Sequence, residues 1–252
     1  MIGDYPQNPK KDVKTLRLDK FISEQTPHTR SDVKRFVKRG EVLLNGAPAK
    51  TADQKVNPDT DRVSVLGKEI IYEKFVYIML NKPKGVVSAT TDRDLPTVVD
   101  LVASEMSHRA LFPAGRLDRD TEGFVLLTDD GDFAHRILSP KNHVAKTYIA
   151  TLSDPAPENA EECFEKGVVL GDETVCLSAH LTPLNKERTE CEVVLGEGMY
   201  HQIKRMFASL GTHVVELKRV KMGNLPLDPS LKSGQWRKLT PDEVGLIESG
   251  KM

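Results

Sequence analysis

Apolar and polar positions alternate in short blocks along this chain, and the period changes from block to block. Leu18, Phe21 and Ile22 fall on one helical stripe that Pro27 ends. A second helix is expected from an N-cap at Ser31, with Val33, Phe36 and Val37 facing inward and Gly40 closing it. Residues 41–44 read as a strand, and Asn45-Gly46 is the strongest short hairpin signal in the chain. Residues 55–66 add a turn and a further strand, and residues 68–74 read as a polar connection.

Beyond that connection the period is mostly two. Strands are expected over residues 76–80, 124–128, 146–152, 177–184, 189–195 and 214–220, with 86–88 extended and 81–85 a turn. The 146–152 segment alternates as if one face met solvent. Short helices are expected over residues 133–138, ending at Ser139-Pro140, and over 159–166, closed by Gly167. Another opens within 198–207 and stops at Gly211, and Thr240-Pro241-Asp242-Glu243 forms a capping box for the last. Many strands, few helices and no regular strand–helix alternation indicate an α+β fold with a mixed, mainly antiparallel sheet. The expected organisation is a disordered tail over 1–14, a small unit over 15–67, a linker over 68–75 and a large unit over 76–250.

Composition changes this picture little, and charge distribution changes it more. An apolar share of 38% with 29% charged residues is ordinary for a soluble globular protein. No apolar run approaches a membrane span, so no membrane partner is expected. Residues 1–11 read as neither a signal peptide nor a stable element. Cys163, Cys176 and Cys191 are odd in number and lack metal spacing, which suggests reduced thiols in a cytoplasmic protein. The formal net charge of −1 argues against a nucleic-acid binder, but residues 14–50 hold nine Lys or Arg against four acids. Acids gather instead around 158–165 and 242–248. Such a dipolar chain suits an anionic partner on one face.

Residues 115–123, Gly-Arg-Leu-Asp-Arg-Asp-Thr-Glu-Gly, carry the densest chemistry. Asp118 stands between Arg116 and Arg119 in a polar turn that leads into the apolar run 124–127. A carboxylate held by cations stays ionised and suits a nucleophile or a general base. The acids here imitate the start of a calcium loop, but its twelfth position holds Asp129 in place of a bidentate Glu. No metal is expected.

Two resemblances sharpen the reading. Arg17-Leu18-Asp19-Lys20, Thr29-Arg30-Ser31, Gly40-Glu41-Val42 and Leu44-Asn45-Gly46 resemble the S-four-like RNA-binding module, named for a small-subunit ribosomal protein. That resemblance implies that the second helix lies against an RNA backbone, through Arg17, Arg30, Lys34, Arg35, Lys38 and Arg39. Four later blocks resemble the pseudouridine synthase family: Asn81-Lys82-Pro83 with Gly85, residues 115–131, Lys146-Thr147-Tyr148, and residues 198–207. Residues 200–207 and 213–217 are most similar to the RsuA branch, which acts on small-subunit ribosomal RNA. Met199 departs from the pattern, since many relatives have a basic residue there.

The family resemblance implies a cofactor-free isomerisation of uridine to pseudouridine with Asp118 at the ribose. It implies Tyr148 packed under the base, and Lys204 as the cation paired with Asp118, with Arg205 the other candidate. A base inside a helix must first be turned outward, and Arg116 is placed to fill the gap it leaves; the alternative is that Arg116 or Arg119 braces the loop. Lys82 is expected to hold RNA phosphate or to steady the loop, and His201 and Gln202 to support the site. The expected partner is ribosomal RNA in an assembling ribonucleoprotein particle, met by a monomer. Two other readings stay open: the same chemistry on large-subunit RNA, and a non-catalytic assembly factor.

Overall fold

The computed structural model describes residues 15–139, 141, 142 and 144–252. The expected tail over 1–14 and the helix stop at Pro140 lie outside the described residues. The described chain divides into two compact units: residues up to Lys74 together with Glu105–Arg109, and Phe75–Ser104 together with Ala110–Met252.

The first unit runs β1 (Leu16–Arg17), α1 (Leu18–Gln25), α2 (Arg30–Lys38), β2 (Val42–Leu44), β3 (Ala47–Pro48), β4 (Lys55–Val56), β5 (Val63–Val65) and β6 (Lys68–Ile70). Its core is the expected stripe, Leu18, Phe21, Ile22 and Val33, closed by Val42, Val56 and Val63. Asn45 and Gly46 both have positive φ, 53° and 84°, and join β2 to β3 as a two-residue turn. Two expectations are corrected. The cap of α2 is Thr29, not Ser31, because Asp32 three residues on completes a reciprocal box with it. Residues 68–70 are not a bare connection: Leu66-Gly67, at φ 51° and 78°, fold β6 back onto β5. A leucine in the left-handed region gives no turn signal in a sequence.

The second unit contains β7 (Tyr77–Lys82), α3 (Ala103–Met106, in part), β8 (Phe112–Pro113), β9 (Glu122–Thr128), α4 (Gly131–Leu138), β10 (Lys146–Leu152) and α5 (Ala160–Lys166). Then follow β11 (His180–Pro183), β12 (Glu190–Leu195), α6 (Gln202–Ser209), β13 (Val214–Met222), β14 (Leu225–Pro226), β15 (Trp236–Lys238) and α7 (Pro241–Ser249). The sheet order is β11-β12-β10-β13-β9-β7-β15, with β14 on β13 and β8 on β9. Among the ladders of the described residues only β9–β13 is parallel, so the sheet is mixed and mainly antiparallel as expected.

Asn81 and Lys82 belong to β7 rather than to the turn expected at 81–85. The 146–152 strand is central in its sheet, between β12 and β13; one face is buried, and on the other Thr147 is buried while Ile149 and Thr151 are half-buried. Met79, Phe124, Leu126, Phe133, Ile137, Met222 and Ile247 form the main core, at roughly 1.5–3 kcal/mol for each large side chain buried. The parallel pair needs Gly123. At φ 102° it admits Arg219 of β13 so closely that a Cβ would stand 2.2 Å from the Arg219 carbonyl oxygen.

Candidate active site

Residues 115–121 form the turn between β8 and β9, and backbone and side chains brace it from below. Lys82 Nζ donates to the carbonyls of Thr121 at 2.8 Å, Pro83 at 3.0 Å and Arg119 at 3.3 Å. Gly85 N–H donates to the Arg119 carbonyl at 2.8 Å. Ser88 Oγ donates to the Leu117 carbonyl at 2.9 Å and accepts from Leu117 N–H at 3.0 Å. Lys82 is fully buried, and its three bonds brace the turn, one of its two expected roles. Burial lowers the pKa of its ammonium to about 8, against the pull of Asp120, Asp118 and Glu122. Ser88 went unnoticed in the sequence because a lone serine in an extended stretch carries no pattern.

The braced turn presents Asp118. Its side chain keeps 28% of its surface exposed. Oδ2 lies 3.7 Å from Lys204 Nζ and Oδ1 lies 3.6 Å from His201 Nε2. Both are ion-pair separations, too long for hydrogen bonds. Lys204 makes its short bond elsewhere, to Asp120 Oδ1 at 2.6 Å, and that bond lowers the pKa of the Asp120 carboxyl. Lys204 therefore bridges two acids, and the nearer is not the expected one. Arg205, the other candidate, turns away to Asp172 at 2.5 Å.

Arg116 and Arg119 are exposed, and among the described residues neither guanidinium makes an ion pair or a hydrogen bond. The groups that face Asp118 are thus the Lys204 ammonium and the His201 imidazole, not the two arginines beside it in sequence. A polar turn points adjacent side chains apart, so neighbours in sequence are not neighbours in space.

The start of α6 is held by polar bonds. Gln202 Nε2 donates to Glu197 Oε1 at 2.6 Å, and its Oε1 accepts from Met199 N–H at 2.9 Å. His201 caps the helix at φ 49° and stacks on the exposed ring of Tyr200, with centroids 3.8 Å apart. These bonds place Lys204 one turn into the helix, toward the 115–121 turn.

A cavity of about 860 Å³ opens here, lined among others by Arg116, Asp118, Tyr148, His201, Lys204 and Arg219. Its size falls within the range of ligand pockets. Tyr148, buried on β10, stands directly across the ladder from Arg219 of β13. Arg219 was missed from the sequence. The available signal was its alternation with Leu217, which puts an arginine on the inward face of a strand. In the first unit Arg30, Lys34, Arg35, Lys38 and Arg39 are all exposed, with Arg35 paired to Asp32. Arg17 is exposed but held by buried Asp19 through two hydrogen bonds, at 2.8 and 3.0 Å.

Comparison with known proteins agrees with this arrangement. Residues 76–209 match the family model described as RNA pseudouridylate synthase, and residues 16–62 match the S4 domain. The chain is 44% identical over 234 residues to the "Uncharacterized RNA pseudouridine synthase YtzG" of Bacillus subtilis (strain 168), covering 92% of this chain and 98% of that one. It is 40% identical over 237 residues to the "Ribosomal small subunit pseudouridine synthase A" of Escherichia coli (strain K12), covering 92% of this chain and all, 100%, of the other. A solved structure described as "Crystal structure of pseudouridylate synthase" aligns with a TM-score of 0.65 at 40% identity, over 92% of this chain and 99% of its own. With the braced aspartate, the facing tyrosine and the matched length taken together, this chain belongs to the RNA pseudouridylate synthase family.

Proposed function

We propose that this protein isomerises one specific uridine of small-subunit ribosomal RNA to pseudouridine, with Asp118 acting at the ribose of a nucleotide turned out of its stack. The observation that carries this reading is the placing of Asp118 on the same cavity as Tyr148, 3.7 Å from Lys204. The C1′–N1 bond breaks, the uracil turns, and C5 takes the place of N1. Addition of the carboxylate to sugar or base, or removal of a ribose proton, each requires the ionised Asp118, which Lys204 and His201 face. Tyr148 packs under the base, and the free guanidinium of Arg116 stacks in the gap that the nucleotide leaves.

The exposed cations of α2 dock the RNA backbone, supplying affinity more than sequence choice. The protein works as a monomer on ribosomal RNA within an assembling ribonucleoprotein particle, in the cytoplasm, where its free cysteines stay reduced. The test is to map pseudouridine in ribosomal RNA from cells with the gene, without it, and with Asp118→Ala. One small-subunit position should lose pseudouridine in the deletion and stay unmodified with the variant. Loss at a large-subunit position would move the target, and full restoration by Asp118→Ala would leave a non-catalytic assembly factor.

A further inference from the structure

Two buried cations line the cavity behind Tyr148 without a carboxylate of their own. Arg219 is 1% exposed in the middle of β13. Its Nε donates to the Phe124 carbonyl at 2.6 Å, and its Nη1 lies 3.5 Å from the Tyr148 hydroxyl. Among the described residues its Nη2 has no hydrogen-bond partner and its guanidinium has no ion pair. Lys146, two residues before Tyr148, is buried as well, and its Nζ donates to the Val144 carbonyl at 2.9 Å. Burial and the charge of Arg219 lower the Lys146 pKa to about 8, opposed by the charge of Glu197. Glu197 in turn accepts from Gln202 and from Leu177 N–H.

An unpaired charge in a sheet interior costs several kcal/mol, and apolar side chains of similar volume would usually be more stable there. Two such charges on adjacent central strands, both lining one cavity, imply a negative charge that arrives during work. The proposed reaction produces one. When C1′–N1 breaks, its electron pair leaves with the uracil as an anion spread over N1, O2 and O4. The electron deficit at C1′ is met by an Asp118 oxygen or by loss of the C2′ proton. C5 then bonds to C1′, Asp118 or the C2′ position returns to its starting state, and the C5 proton is lost while N1 gains one. No atoms are added overall.

Resting on the isomerase reading, we propose that Arg219 and Lys146 form a cationic wall that stabilises the detached uracil anion while it turns. Preorganised charge in a water-poor site acts most strongly where charge develops.

The test compares single-turnover loss of the target nucleoside in ribonucleoprotein particles assembled on small-subunit ribosomal RNA transcripts made with uridine or with 5-fluorouridine. Fluorine makes the uracil a stronger acid, so its anion departs with less help. Arg219→Gln should slow the uridine transcript by roughly 10²-fold and the fluorinated one by about tenfold less. Arg219→Lys, which keeps the charge, should recover part of the loss. Lys146→Met should show the same narrowing, and it decides the matter if Arg219→Gln does not fold. Equal defects on both transcripts would overturn the wall while leaving the isomerase intact. A wild-type protein that forms no pseudouridine would instead remove the isomerase.

Discussion

In the first unit, Arg30, Lys34, Lys38 and Arg39 stand in solvent and make no ion pair among the described residues. In the second, Lys82, Lys146 and Arg219 are buried, and each is held by at least one named carbonyl. The same residue types therefore serve by different physics. Exposed cations in water act through their number, because screening smooths out where each one stands. Buried cations act through position, since in a low dielectric an ångström or a missing acceptor changes their energy by kilocalories. Lys204 lies between these limits: its side chain is 23% exposed and it serves two carboxylates at once.

The sharpest break of this comparison is at Lys204. Lys204→Met should lower kcat/KM for pseudouridine formation by roughly 10²–10³-fold, the scale of losing one preorganised charge at a reacting centre. Asp120→Asn should cost at most about tenfold, although Asp120 makes the shorter bond, because it stands outside the reaction. Equal losses in single-turnover assays would make Asp120 the functional partner.

Lys82→Met comes next. It strips three backbone carbonyls of their donor, and a buried acceptor left bare costs roughly 1–3 kcal/mol. Thermal melting should fall by roughly 3–10 °C. A drop in RNA affinity with unchanged melting would instead mean that Lys82 binds phosphate.

The exposed cations should behave additively. Replacing Lys34, Lys38 or Arg39 with Gln should each reduce the slope of log affinity against log salt by about 0.7–0.9. A variant that loses affinity without changing that slope would break the contrast between the two units.

The last effect is one of pH. The Lys146 ammonium titrates near 10.4 in an unfolded chain and at about 8 when folded. Below pH 8 both states are charged and the full cost of burial is present. Between the two values the unfolded chain holds more protons, so this group's contribution to stability rises with pH. Lys146→Met should thus be more stable than the native chain at pH 7, by a margin that shrinks toward pH 10 in urea melts.

Much of the site was legible because it is written in contiguous blocks. Asp118, Tyr148 and Lys204 each sit in a short motif, and the three line one cavity. The pairing around them was not legible. The sequence flanks Asp118 with Arg116 and Arg119, yet the ammonium that faces it is that of Lys204 in α6, more than eighty residues later. Arg205 looked equivalent to Lys204, but one residue along a helix turns a side chain by about 100° and sends it to Asp172.

By itself the sequence determined the succession of elements, since period, caps and glycines act over a few residues. It determined the small core of Leu18, Phe21, Ile22 and Val33 and the hairpin at Asn45-Gly46 for the same reason. Only the tertiary structure decided which charges are buried and which acid each cation meets. Those outcomes depend on strand order: β13 lies between β9 and β10, and only that order brings Arg219 beside Gly123 and under Tyr148. Burial energy belongs to a place in the fold, and no local pattern along the chain contains it.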